Sequence, residues 1–487
     1  MAARYGSDAS TDAYFMALSA LSLFSIMITK TLFQTTIPVL TTVENVEGKE
    51  GKNRHTNNLL NIVIVFSFVA AILAWFFTPY ILKILAPGFG EEQFNLTITL
   101  TRIGLSILVI SGVVGVFRGY LQSELRFTES AATMIPFNLI FIIFLIFFSK
   151  YFDIRALMIA NVLANLGMLA LQIPSIRKAG FRYAPVFELK DDYVKHIAIL
   201  MPPILLSSVI NDVNTLIDKS LASKLVEGSI SALNYADRIK GLVTSIFISA
   251  IATVIFPILA KNANNKNLDN LKKTMIRGFN VIILITIPAS LGLMVLAHPI
   301  VRFVFERKAF DARATTMTAG ALLFYSIGLL SLSMNTMFRR VYYSLKDTKT
   351  PMFLSIFGVV ANVLFNLIFI YFMAHEGLAL ATSLSSILTM GFLFYFLRKK
   401  IGSMGMSQVA ISGVKAIVAS GLMAASTYGL YRLFLALLGI GSTTRELVTL
   451  FIPILVGVLV YVLAIYFMRV DEVDWIIQLL KEKFGRA

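Results

Sequence analysis

The sequence predicts an all-α integral membrane protein with two pseudo-symmetric lobes and two further C-terminal helices. Charged residues make up only 14% of the 487 residues, against about 25% in a typical soluble domain. The mean hydropathy is +0.79. A span needs about 20 mostly apolar residues, and about thirteen segments of the chain reach that length. Strands of a membrane barrel would be shorter and would alternate, so helices are predicted throughout.

These segments are numbered here as spans 1 to 13, and the loops between them are short. The predicted spans cover, approximately, residues 12–40, 57–85, 95–121, 129–149, 155–177, 194–222, 228–260, 271–298, 313–344, 350–374, 377–398, 408–436 and 445–468.

Basic residues decide the predicted orientation. Lysine and arginine concentrate in the loops after odd-numbered spans and in the C-terminal tail, and such loops face the cytoplasm. The C-terminus is therefore predicted to be cytoplasmic and the N-terminus outside, with the basic loop 302–313 as an outer exception. Most of the net charge of +16 is then a topology signal and no indication of nucleic-acid binding.

The chain also resembles itself. Phe117-Arg118-Gly119-Tyr120 ends span 3, and Phe338-Arg339-Arg340-Val341-Tyr342 ends span 9; an Asn-Leu-Ile-Phe-Ile segment follows in both halves. Spans 1–5 thus match spans 7–11, and span 6 has no partner in the first half. We predict an N-lobe over 1–190, a C-lobe over 191–402, and two C-terminal helices with a tail over 403–487. Repeats of this kind are typical of transporters.

Charged side chains at the start of span 7 are the first candidates for a binding site. A charge at the bilayer centre costs at least about 2.5–3.5 kcal/mol, so it should face a partner or a wet cavity. Arg238 and Lys240 are candidate anion-binding residues. Asp237 and Lys240 share one helix face, so an internal ion pair between them is the alternative, and snorkelling to the surface is another.

Other candidates lie on spans 1 and 3. Lys30 lies near the middle of span 1 with no adjacent acid, which favours a binding role. Arg118, like Arg339 and Arg340, lies at a cytoplasmic helix end, where the simpler interpretation is a positive-inside anchor. Asp12, in the pair Thr11-Asp12, is either a binding residue or a helix cap. Span 3 also carries Arg102.

Motifs for enzymes and cofactors are missing from the sequence. There is no phosphate-binding GxxxxGK[ST] loop, no HExxH and no GxSxG, and the chain has no cysteine. We therefore expect no catalysis, no metal and no cofactor; coupling to Na⁺ or to the membrane potential stays open, without a motif to support it. Residues 470–484 have apolar side chains at helical spacing and are predicted to lie on the cytoplasmic membrane surface.

Several segments together resemble the MurJ (MviN) family of lipid II flippases, in the multidrug/oligosaccharidyl-lipid/polysaccharide exporter superfamily. The most specific is Gly228-Ser229-Ile230-Ser231-Ala232-Leu233-Asn234-Tyr235-Ala236-Asp237-Arg238. The others are Thr11-Asp12-Ala13-Tyr14-Phe15, Leu85-Ala86-Pro87-Gly88-Phe89, Leu125-Arg126-Phe127 leading to Pro136 and Asn138, Asn214-Thr215-Leu216-Ile217-Asp218 and Lys346-Asp347-Thr348-Lys349-Thr350-Pro351.

This resemblance implies fourteen helices, cytoplasmic termini and a cationic cavity between two lobes. Asp12 matches an important acid on the family's second helix, and Arg238 matches a cavity arginine on its eighth. The chain departs from the family in two places. The family's first helix has no counterpart here, so the start codon is misassigned or the chain is a divergent member. The family's basic pair on the second helix is also replaced, leaving Lys30 as the base of that helix.

The resemblance implies transport of lipid II by alternating access in peptidoglycan biosynthesis, which determines cell shape. The implied partners are an undecaprenyl-pyrophosphate-linked sugar precursor, membrane lipids and cell-wall synthesis proteins, in a bacterial inner membrane. Three alternatives stay open: a flippase for a capsule, teichoic or O-antigen precursor, a cation-coupled multidrug exporter, and a membrane scaffold without transport.

Overall fold

The computed structural model describes residues 1–245, 249–265, 267–439 and 443–469, and it contains only helices and connecting segments within those ranges. The side chains of 24, 26–31, 34, 202–211, 249–254 and 443 lie outside this description. The predicted surface helix over 470–484 also lies outside the described residues. The absence of strands across the described ranges confirms the predicted all-α class.

The chain divides into two compact units, Met1–Ile230 and Ser231–Ala487. The first contains the helices α1 (Ala2–Tyr5), α2 (Ala9–Leu85), α3 (Glu91–Gly104), α4 (Ser106–Ser123), α5 (Phe127–Ala132), α6 (Met134–Ile143), a π-helical turn (Phe144–Phe148), α7 (Ile154–Lys178) and α8 (Asp192–Ala222). Helix α9 (Ser229–Val243) begins at the boundary. The second unit continues with α10 (Ser249–Asn264), α11 (Leu268–Val295), α12 (Ala297–Phe305), α13 (Ala312–Ile327), α14 (Leu329–Ser344), α15 (Lys349–Ile401), α16 (Ser407–Leu438) and α17 (Thr443–Phe467).

The described part of every predicted span is helical, apart from one-residue breaks and short caps. Two long helices each carry two of the predicted spans. A single non-helical residue interrupts each of them, Gly48 in α2 (φ 71°) and Ala374 in α15 (φ 47°). Within the described residues, eight helices are long and apolar enough to cross a bilayer, or nine if the bent pair α13 and α14 forms one span. The number of spans therefore stays a prediction.

The boundary between the two compact units, at residues 230 and 231, differs from the lobe boundary at 190 that the sequence repeat indicates. Helix α8 packs against α2 inside the first unit, whereas the repeat groups residues 191–222 with the second half of the chain. Packing and internal symmetry are separate criteria, so the lobe boundaries at 190 and 402 stay predictions.

A serine on a neighbouring helix supports the bend between α13 and α14. The N–H of Gly328 donates to the carbonyl of Tyr325, as in a tighter turn, and not to the carbonyl of Phe324. The Ser383 hydroxyl on α15 donates to that Phe324 oxygen at 2.6 Å. A β-carbon at position 328 would lie 2.6 Å from the Ser383 oxygen, so the close approach requires glycine. Inside a bilayer, such side chains satisfy the groups that a helix break frees.

The ends of α4 and α14 have the same geometry, which supports the internal repeat. The N–H of Arg126 donates to the Leu121 carbonyl at 2.9 Å, and the N–H of Asp347 donates to the Tyr342 carbonyl at the same distance. The preceding residues, Leu125 and Lys346, both have a φ of 59°. Each helix therefore ends in a Schellman motif, with a non-glycine residue in the left-handed position.

Each unit has a separate hydrophobic core, and large apolar side chains also cover much of the surface. Leu121 and Val116 are fully buried in the first unit, as are Phe279 and Met337 in the second. Yet Phe372 remains 81% exposed, among many other large apolar side chains. Soluble monomers rarely expose large contiguous apolar patches, so a hydrocarbon environment accounts for this surface.

A buried ion cluster joins three segments at the basic end of the first unit. Lys52 is 1% exposed, and its ammonium bonds the carboxylates of Glu44, at 2.7 Å, and Glu124. It also lies 5.1 Å from the centre of the Tyr120 ring. Glu44 and Lys52 flank the break at Gly48, and Glu124 follows α4. We name Lys52, Glu44 and Glu124 the lysine cluster; it fixes both halves of α2 to the end of α4.

A second cluster at the same end fixes the segment before α8. The His55 ring bonds Asp191 at 2.5 Å and Glu47 at 2.9 Å. Burial alone would raise the pKa of Asp191, but hydrogen bonds from His55, Asn58 and the Val194 N–H outweigh it and lower the pKa. The pKa of Asp191 is lower in the folded protein than in the unfolded chain. The contribution of this carboxylate to stability is therefore present at neutral pH and is lost as the pH falls through the folded-state pKa.

Candidate functional site

Helix α9 begins at Ser229, and Arg238 on its third turn is an exposed cation. Within the described residues it forms no ion pair, whereas Lys240 two positions later does. A guanidinium is always charged, and its planar fork of N–H donors matches the oxygens of a phosphate group. The arrangement therefore leaves Arg238 able to bind an anion.

Asp237 and Lys240 form the ion pair that their spacing predicts. The Lys240 ammonium lies 2.6 Å from the Asp237 carboxylate, and also 4.2 Å from the centre of the Tyr325 ring. The lysine side chain is 11% exposed and the aspartate side chain 61%. The two charges neutralise each other, so of the three charged side chains on this part of α9, Arg238 carries the net positive charge.

Asp12 is buried at the start of α2 and fixes a distant backbone group. Its carboxylate accepts a hydrogen bond from the N–H of Gly228 at 2.8 Å, and only 3% of the residue is exposed. Asp8 caps the helix instead, accepting from the Thr11 N–H at 2.9 Å. Asp12 thus joins the start of α2 to the residue just before α9.

The backbone at position 228 requires glycine. Gly228 has a φ of +90°, and a β-carbon there would lie 2.6 Å from the carbonyl oxygen of Ser7. The Ser7 hydroxyl donates to the Gly228 carbonyl at 3.1 Å, so the two segments are held together from both sides.

We expect Gly228→Ala to lower the free energy of unfolding by about 1–3 kcal/mol, since the backbone would be strained and the bond to Asp12 displaced. Thermal unfolding of the purified protein measures the effect. Gly241→Ala on the same helix is the matched control, because no atom lies within 4 Å of the added β-carbon there. Equal unfolding temperatures for the two variants would contradict this role of Gly228.

Arg118 and Arg339 occupy matching positions in the two repeats. The Arg118 guanidinium stacks on the Phe33 ring at 4.9 Å. The Nε atoms of Arg118 and Arg339 are both buried without a hydrogen-bond partner. A surface anchor would keep its guanidinium in water, so these contacts favour a more specific role for Arg118 than anchoring. The internal sequence repeat aligns Arg339 with Arg118, but the sequence alone predicts only a positive-inside anchor at Arg339.

Some predictions lie beyond what the structure describes, and some contacts were missed. Lys30 lies on α2, but its side chain lies outside the described residues. The Lys219 ammonium on α8 donates to the Ser19 hydroxyl on α2 at 2.6 Å. No sequence signal distinguished this contact, because the two residues are far apart in the chain.

Metal binding has no candidate site in the described ranges. No group of three or more histidine, aspartate or glutamate side chains there lies close enough to hold an ion. The expectation that the chain needs no metal and no cofactor stays a prediction.

Comparison with known proteins identifies the family. The family described as "Lipid II flippase MurJ" matches residues 1–466. The chain belongs to the MurJ family. The probable lipid II flippase MurJ of Vibrio cholerae is 32% identical over 402 residues, covering 80% of this chain and 76% of that protein. That of Rhizobium tropici is 26% identical and covers 99% of this chain and 92% of its own length.

Solved structures support the same fold. A lipid II flippase MurJ in an inward closed conformation has a TM-score of 0.80 at 24% identity, covering 97% of this chain and 95% of that one. A multidrug resistance MATE family transporter of the MOP superfamily, in an inward-facing conformation, has a TM-score of 0.71 at 15% identity, over 82% of this chain and 95% of that chain. The predicted resemblance to the MurJ family and the membrane-transporter fold are thereby confirmed, and the chain is a multi-pass membrane protein.

Proposed function

We propose that this chain moves lipid II from the inner to the outer leaflet of the bacterial cytoplasmic membrane, without catalysing a reaction. Membership of the MurJ family, and relatives that are probable lipid II flippases, support the substrate. The observation that carries the mechanism is Arg238, an exposed cation without an ion-pair partner in the described residues, in the segment most specific for the family.

The headgroup of lipid II, the transported passenger, is the physical obstacle to crossing the bilayer. A pyrophosphate and its sugars are strongly hydrated, and moving unpaired charge into hydrocarbon is very costly. A guanidinium offers two parallel hydrogen bonds and a positive charge in place of water, and it interacts more strongly where the dielectric is low. We assign this role to Arg238, while the polyprenyl chain stays in the lipid. Lys240 is balanced by Asp237 and acts on the passenger only when that pair opens.

Asp12 is proposed to act as a positioning residue. Its bond to Gly228 fixes the backbone from which α9 and Arg238 continue. Arg118, with its unsatisfied Nε, is proposed as a second contact for phosphate oxygens. Exposure of the site to alternate sides follows from movement of the two lobes against each other, the mechanism of transporters built from repeats.

The membrane potential is the simplest energy source for this cycle. An inside-negative potential drives anionic groups outward and is worth about 2.3 kcal/mol per charge per 100 mV. No cofactor is needed for such a step, which accords with the missing nucleotide motif.

The test uses a bacterium whose own lipid II flippase can be switched off. We expect this chain to restore growth and to return lipid II to the outer leaflet, measured with a membrane-impermeant probe for its headgroup. Restored export of a capsule, teichoic or O-antigen precursor without lipid II would contradict the proposal and support the alternative flippase. Failure to export any lipid-linked precursor, despite normal membrane insertion, would also overturn it.

A further inference from the structure

An apolar groove lies on the first unit, apart from the residues discussed so far. It has a volume of about 640 Å³ and lies between the second half of α2, the start of α4, and α7. Phe68, Ile72 and Phe76 line it and are 59%, 43% and 62% exposed. Its volume and its exposed apolar lining suit a hydrocarbon chain.

Trp75 lines the same groove, and an arginine side chain stacks on its ring. The Arg102 guanidinium stacks on the indole at 4.1 Å, and its Nε donates to the Trp75 carbonyl at 3.3 Å. Arg102 forms no ion pair with any residue that the structure describes. Its other N–H donors likewise find no acceptor there, so they are available to a group from outside the protein.

The depth of Arg102 makes this cation unusual. It follows the first residue of α3, Glu91, by eleven positions, which is about 16 Å along the helix axis. Helical side chains tilt toward the N-terminal end, which the predicted topology places outside. An arginine at this depth can extend its long aliphatic stem toward the outer headgroups, and a lipid phosphate that meets it there neutralises a charge that is costly in hydrocarbon.

We propose that this groove binds one anionic phospholipid of the outer leaflet, with its phosphate on Arg102 and one acyl chain beside Trp75. Charge complementarity selects the phosphate, and the apolar lining selects the chain. Trp75 joins the two parts because it touches the cation with one face and lines the groove. This proposal does not depend on the binding of the passenger proposed at Arg238.

Trp75 reports on the site directly. The chain has two tryptophans, so Trp475→Phe leaves Trp75 as the single tryptophan, whose fluorescence is excited selectively at the red edge of the absorption band. The purified protein is placed in phosphatidylcholine bilayers that contain increasing amounts of phosphatidylglycerol with brominated acyl chains, which quench tryptophan on contact. The quenching of Trp75 by brominated phosphatidylcholine, measured in the same way, gives the quenching expected from nonspecific lipid contact.

We expect phosphatidylglycerol to quench Trp75 with an apparent affinity about fivefold higher than phosphatidylcholine. Arg102→Gln should make the two curves coincide, and Arg102→Lys should restore the preference. Arg155→Gln, an exposed arginine at the start of α7, is the control that should keep it. Coincident curves in the parent protein, or a preference that survives Arg102→Gln in a folded protein, would overturn the proposal.

Discussion

Cells that depend on an Arg238→Ala protein will export lipid II about ten- to a hundredfold more slowly than cells with the parent chain. A hydrogen bond to a charged group contributes about 1.5–3 kcal/mol, and about 1.4 kcal/mol corresponds to a factor of ten. The alanine variant removes the cation without removing a structural partner, because Arg238 forms no ion pair among the described residues. Export is measured as headgroup exposed in the outer leaflet per unit time.

Two further variants separate charge from structure. Arg238→Lys keeps the charge but loses the planar pair of donors, so intermediate export is expected. Arg307→Ala removes another exposed arginine of the same unit and should export normally. If Arg238→Ala exported lipid II as fast as Arg307→Ala, at equal amounts in the membrane, Arg238 would not bind the passenger.

Lys52→Met will destabilise the protein by about 3–5 kcal/mol, the largest effect on stability that we expect. The substitution removes the common partner of Glu44 and Glu124, so two largely shielded carboxylates lose their counter-charge. Both halves of α2 and the end of α4 lose their connection together. Thermal unfolding of the purified protein in detergent measures this as a lower midpoint.

Arg54→Met provides the control for the lysine cluster. Arg54 pairs with Glu188 at 2.7 Å, but the two side chains are 59% and 49% exposed. Exposed pairs contribute about 0–1 kcal/mol, so little change is expected. Adding Glu124→Gln to Lys52→Met should recover part of the loss, because one charge then needs no partner. A midpoint for Lys52→Met no lower than that for Arg54→Met would refute the burial argument.

Hydropathy predicted the helices of this fold well, because each span must satisfy its backbone internally. It did not predict that residues 41–56 continue the helix. Glutamate and lysine are good helix formers, and only Gly48 interrupts the segment. The sequence did not predict the burial of Lys52 either, because a run of charged residues between two spans is normally exposed to solvent. The long-range partner Glu124 becomes visible only when α4 packs beside α2.

The candidate site was predicted in part. Spacing alone placed Asp237 and Lys240 on one face, and they do form a pair. The contact between Asp12 and Gly228 spans 216 positions, and no periodicity predicts such a bond. The family resemblance indicated that Asp12 matters, but it did not indicate which group the carboxylate contacts. The repeat brought Arg118 and Arg339 to attention, but their buried Nε atoms depend on packing. Trp75 and Arg102 meet across two helices and gave no local signal.

Transport by the purified protein tests the central claim most directly. The protein is placed in vesicles with fluorescent lipid II in both leaflets, and a membrane-impermeant reagent destroys the label that it can reach. We predict that the parent protein exposes the whole lipid II pool, whereas vesicles with Arg238→Ala or without protein keep their inner-leaflet half protected over the same time. The claim is contradicted if the parent protein leaves that half protected, or if it moves a polyprenyl-linked sugar without pyrophosphate equally fast.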